Sequence, residues 1–187
     1  MLKKMKKVTI LLIFAGLLTM NVAYASDPAP TAEVTGGSLT IDDLVIANFA
    51  TVTLDGTTQT TPAVVTSRTL TDSTGSGDGW NVSLKATQFQ QGADGKILPD
   101  NSLALGTVSI TEKEGITGST AVTNIAIHGG TIDNTVGVVI LNTPANEGMG
   151  TYTVSMADMT LTLLPATTYA GIYTSTVTTT LTSGPTS

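Results

Sequence analysis

The stretch GDGWNVSLKATQF, residues 77–89, decides how the chain folds. From Trp80 onward Trp80, Val82, Leu84 and Ala86 fall on one side of an extended backbone, and Asn81, Ser83, Lys85 and Thr87 fall on the other. One side is apolar and the other hydrophilic, the pattern of a half-buried β-strand. Directly ahead of it runs Thr74-Gly75-Ser76-Gly77-Asp78-Gly79, where glycine permits the tight, positive-φ turns that join two strands. The only tryptophan of the chain therefore stands at the exit of a turn-forming loop.

The same chemistry extends outward in both directions. The chain is rich in Thr, Val, Ile and Gly, and no window carries a capped 3.6-residue apolar period. Strands are expected over 38–41, 45–49, 51–54, 63–71, 80–87, 103–111, 122–127, 138–141, 152–156, 159–163 and 172–182. Turn signals separate them at Asp55-Gly56, 75–79, 92–95, Gly129-Gly130 and 147–150. Short strands at this spacing predict an all-β domain, either an antiparallel immunoglobulin-like β-sandwich or a partly closed barrel. In the last strand Tyr173, Ser175, Val177, Thr179 and Leu181 share one face, and Ile172, Thr174, Thr176, Thr178 and Thr180 line the other. That threonine ladder suits a solvated face or a protein-binding edge. Tyr173 stands where a tyrosine corner would hydrogen-bond back to the preceding loop. Beyond Leu181 a flexible tail is expected.

Residues 1–25 read as a secretory signal peptide: four lysines among the first seven residues, an apolar run over 8–20, and Ala23-Tyr24-Ala25 as the cleavage site. The apolar run is shorter than the ~20 residues of a membrane-spanning helix, so no membrane association is expected after cleavage. Residues 26–35 form a short lead-in, and 36–187 a single β domain large enough for a real core. The chain has no cysteine, hence neither a disulfide nor a lipid-bearing thiol. Cleavage would leave fourteen acidic residues against Arg68, Lys85, Lys96 and Lys113, a net charge of −10. Nucleic acid and anionic lipid need clustered Lys and Arg and are excluded as partners; phosphate-rich wall polymers would be repelled.

Three segments carry a resemblance: Gly37-Ser38-Leu39-Thr40-Ile41, the run from Leu70 through Gly79-Trp80-Asn81-Val82, and the ending from Tyr169-Ala170-Gly171-Ile172-Tyr173 to Thr179-Thr180-Leu181. Together they resemble the WxL-domain family of Gram-positive surface proteins, over essentially the whole chain after the signal peptide. The resemblance implies an all-β domain held non-covalently on peptidoglycan, with other surface proteins as further partners. It places ligand binding at the two Trp-x-Leu positions, here Trp80, Asn81, Val82 and Thr179, Thr180, Leu181. Val82 stands for the leucine of the first motif and Thr179 for the tryptophan of the second.

The other chemistry-bearing residues have plain readings. Trp80 fits core packing, or an indole at the rim stacking on a sugar. Asp72, Thr74, Ser76 and Asp78 are spaced loosely like a calcium loop, but Ser83 stands where the terminal acidic ligand belongs, and local turn hydrogen bonds account for them. His128 is the only histidine and lacks a nucleophile elbow or ligand cluster. Asp42-Asp43 and Glu112 with Glu114 read as solvated connections. Asn81-Val82-Ser83 matches a eukaryotic glycosylation pattern, discounted for a chain of bacterial resemblance. No catalytic residue, metal or cofactor is expected. Two functions remain open: a non-catalytic wall-binding surface protein, or a subunit of a surface or matrix assembly joined by β-strand edge pairing.

Overall fold

The computed structural model describes residues 29–185. The signal peptide expected over residues 1–25 lies outside the described residues. Residues 29–33 are exposed and carry no regular element, and every strand belongs to the unit that begins at Val34.

Among the described residues eleven strands follow in order: β1 Leu39–Ile41, β2 Gln59–Ala63, β3 Arg68–Asp72, β4 Trp80–Ala86, β5 Leu103–Ala104 and β6 Val108–Glu112, then β7 Ala126–Ile127, β8 Val138–Asn142, β9 Gly150–Met156, β10 Met159–Leu163 and β11 Val177–Ser183. A single 3-10 turn, Val122–Asn124, interrupts them. The strands form three antiparallel sheets, ordered β1-β3-β9-β6, β2-β10-β5 and β11-β4-β8-β7. Each sheet ends in two edge strands, so the fold is a sandwich and not a closed barrel. All three sheets contribute to one core, with Leu70, Trp80, Leu84, Ile140, Tyr152 and Met159 fully buried.

Strand β4 has the two faces its sequence predicts. Trp80, Val82, Leu84 and Ala86 are buried, while Lys85 and Thr87 are exposed. Asn81 is the exception: it is buried, and its Nδ2 donates to the Gly184 carbonyl at 2.8 Å. Against β8 the register slips by one residue beyond Val82, so that Ile140 and Leu141 are both fully buried though adjacent in sequence.

Several expected strands differ. The run expected over 63–71 divides into β2 and β3, which lie in different sheets, and that over 103–111 divides into β5 and β6 in the same manner. Pro62 lacks a donor and lies on the edge strand β2, where the loss is tolerated. Residues 45–49 and 51–54 form no strand; a single bridge between Ile46 and Val65 is their only ladder contact. The last strand begins at Val177 instead of 172, with one bridge from Thr174 to Gln90 ahead of it. It runs past Leu181 to Ser183, and the Gly184 N–H donates to the Gly79 carbonyl, so no tail frays at Leu181. The tyrosine corner is present: the Tyr173 hydroxyl donates to the Tyr169 carbonyl and accepts from the Tyr169 N–H, each at 3.1 Å.

Candidate functional site

Strands β4 and β11 are paired antiparallel along their whole length, with Val82 opposite Leu181 and Trp80 opposite Ser183. The segments 80–82 and 179–181 are therefore neighbours, although about a hundred positions separate them in the chain. Their side chains are not equally available. Trp80, Asn81 and Val82 are buried, Thr179 and Leu181 half-buried, and Thr180 alone is exposed.

Trp80 is held by a second loop. Its backbone exchanges hydrogen bonds with Thr143, the Trp80 N–H donating to the Thr143 hydroxyl and the Thr143 N–H to the Trp80 carbonyl, both at 2.8 Å. The indole Nε1–H donates to the Gly148 carbonyl at 2.8 Å. The Tyr152 ring lies against the indole at 6.3 Å, and its hydroxyl reaches the carbonyls of Thr120 and Met149, each at 2.9 Å. Gly79 lets the glycine loop pass this closely: a Cβ there would meet the Pro144 carbonyl at 2.6 Å. The glycine loop and the 143–149 loop thus close over the tryptophan, joined by the Asn146 N–H donating to the Gly77 carbonyl at 2.7 Å. An indole so enclosed offers no ring face to a sugar.

Beneath the other motif position lies Arg68, 4 % exposed. Its Nη1 donates to the Thr179 hydroxyl at 3.0 Å, while Nε and Nη2 have no partner. Burial pushes its pKa below the ordinary guanidinium value, and the Asp42 charge partly opposes that shift. Asp42 is more than a solvated connection: its carboxylate accepts the Thr69 N–H at 2.9 Å, and this bond holds its pKa below the usual carboxylate value.

An open groove of about 870 Å³ runs between residues 46–54 and 168–177. Phe49 and Phe89, packed edge to face at 5.6 Å, Met159 and Leu161 lie along it, and Tyr169, Ile172 and Tyr173 stand on one side. Hydroxyls from Thr51, Thr53 and Ser175 are interspersed. None of its lining residues is charged. Tyr169 and Ile172 are 52 % and 85 % exposed, and the Lys96 ammonium sits 4.7 Å from the Tyr169 ring centre. Gln91 Nε2 fixes this loop by donating to the carbonyls of Tyr169 and Ala170. The groove has no local signal in the residues: it forms where the strands expected over 45–49, 51–54 and the start of 172–182 find only isolated bridges.

The remaining candidates stay plain. Asp72 spends Oδ1 on the N–H and hydroxyl of Thr74, at 3.0 and 2.7 Å, and the Thr74 and Ser76 hydroxyls pair at 3.1 Å. These are local turn bonds. His128 is exposed, its N–H donating to the Ile140 carbonyl. Among the described residues no three His, Cys, Asp or Glu side chains gather as a metal site would require.

The chain matches the family model described as WxL domain surface cell wall-binding over residues 22–185. No curated protein and no solved structure matches it. Segments 80–82 and 179–181, to which the resemblance assigns the Trp-x-Leu positions, lie side by side on β4 and β11. With the match covering nearly its whole length, the chain belongs to the WxL domain family of surface cell-wall-binding proteins.

Proposed function

We propose that the protein attaches non-covalently to peptidoglycan, takes the glycan strand in the 46–54/168–177 groove, and catalyses no reaction. The charge-free lining of that groove carries this reading. Although the chain carries fourteen acidic residues, none of them lines this concave surface. Aromatic and aliphatic walls with interspersed hydroxyls suit a neutral polymer that offers alternating apolar ring faces and hydroxyl edges. The family's attachment to the cell wall supports it. In this account Trp80, Asn81 and Val82 build the sheet, Thr179 and Leu181 complete it, and only Thr180 could reach a ligand directly.

Co-sedimentation of the exported protein with sacculi stripped of teichoic acid tests it. Wild type should pellet, and Tyr169→Ala and Ile172→Ala, both at exposed positions, should stay folded and lose most of that binding. Groove variants that pellet like wild type would remove the groove from the account, and wild type left in the supernatant would remove peptidoglycan.

One observation favours edge assembly as a second function. The Thr176 carbonyl and the Gly184 N–H both bond toward β4 and its flanks, so the backbone groups of Val177, Thr179, Leu181 and Ser183 point away from it. Among the described residues no strand pairs on that side. An uncharged seven-residue edge is a template for another strand. Sedimentation velocity should then show concentration-dependent oligomers that Thr180→Lys with Thr182→Lys disperses; a monomer at all concentrations excludes self-assembly.

A further inference from the structure

A second cleft of about 320 Å³, lined mostly by polar residue types, opens where the end of β4 meets the start of β11 and the 131–137 loop. Thr176 and Thr178 line it, whereas Ser175 and Val177, with side chains on the opposite face of the strand, line the groove described above. Asp133 is one of its lining residues and is 1 % exposed. Its Oδ2 accepts the Ser102 N–H at 2.9 Å, but its Oδ1 has no hydrogen-bond partner. A buried carboxylate oxygen without a donor is costly, and a group that supplies one is favoured there. Asp100 adds a second carboxylate to the lining. On the same lining Lys85 donates its ammonium to the Thr135 carbonyl at 2.6 Å and has two further N–H bonds to give.

We propose that this cleft binds a small zwitterion, a free amino acid or dipeptide, with its ammonium on Asp133 and Asp100 and its carboxylate toward Lys85. A divalent cation fits less well. It would need six to eight oxygens with few positive neighbours, and here two carboxylates share the cleft with an ammonium. The cleft is also about ten times the volume of one water or ion and lies at the lower end of small-ligand sites. The assignment is independent of the glycan groove, since the two surfaces share no lining residue.

The test is a titration of the ¹⁵N-labelled exported protein with the dipeptide Ala-Ala, N-acetyl-Ala-Ala, Ala-Ala-amide and calcium chloride, following the amide signals of Ser102, Asp133 and Thr135. Ala-Ala should shift them saturably. The acetylated peptide, which lacks the ammonium, should not, and the amide should bind more weakly. Asp133→Asn preserves the acceptor for Ser102 and should weaken Ala-Ala by about tenfold or more; Asp100→Asn, at an exposed position, should weaken it by a smaller factor. Equal shifts from the acetylated peptide, shifts from calcium alone, or no saturable shift with Ala-Ala would each overturn the proposal.

Discussion

Arg68 shows how a single side chain can be both stabilised and stranded. It is buried as a cation with one acceptor, the Thr179 hydroxyl, and two nitrogens unbonded. Thr179→Val should remove that acceptor and cost about 1–3 kcal/mol in urea unfolding. Adding Arg68→Met should recover the loss, because an apolar side chain leaves no buried charge to satisfy. A double variant as weak as Thr179→Val would show that the hydroxyl acts through something other than Arg68. Tyr152 gives a pH signature. Burial is the main cause that raises its pKa above the ordinary 10.0, with smaller opposing and reinforcing contributions from the Thr120 bond and nearby acids. The unfolded phenol therefore ionises first. Its contribution is complete below about pH 10 and is lost as pH rises through the folded value. Thermal unfolding midpoints should fall above pH 10, and Tyr152→Phe should flatten that fall while losing about 1 kcal/mol at neutral pH from the missing hydroxyl.

Among the elements, the loop over Trp80 is the most sharply determined. Gly148 has φ +76°, and a Cβ there would meet the indole Nε1 at 2.5 Å; Gly75 has φ +68° with open space around it. Gly75→Ala should cost about 1 kcal/mol of backbone strain. Gly148→Ala should cost at least about 2 kcal/mol and shift the tryptophan fluorescence, since strain and collision act together. Equal losses in the two variants would mean that the loop yields without disturbing the indole. These contacts also mark the limits of what the residues disclose. The two faces of β4 and the alternation of β11 are local properties, written in period-two patterns, and both hold in the structure. The division of 63–71 and 103–111 between sheets was hidden, because an extended backbone keeps its alternation while it changes partners. Residues 45–54 have strand composition yet find no ladder, and pairing depends on what lies beside a segment. The groove followed from that missing ladder and the cleft from distant loops, so neither had a local signal.

Across the whole molecule, the strands that meet are often far apart in sequence, and β10 with β2 and β11 with β4 each pair across about a hundred positions. Removing residues 177–187 should expose the β4 edge and the end of the Trp80 sheet. Circular dichroism and tryptophan emission are expected to report a loss of cooperative unfolding, and a truncated chain that still melts in one sharp step would contradict this dependence. Pairing across such separations is slow, because the loop must close before any contact is gained. Its consequence concerns timing during biosynthesis. The strand opposite Trp80 is the last of the eleven to be made, so a nascent chain has no means of finishing its tryptophan sheet while still being synthesised. Until β11 has been synthesised, β4 lacks the partner along its second edge, and the sheet around Trp80 stays open on that side.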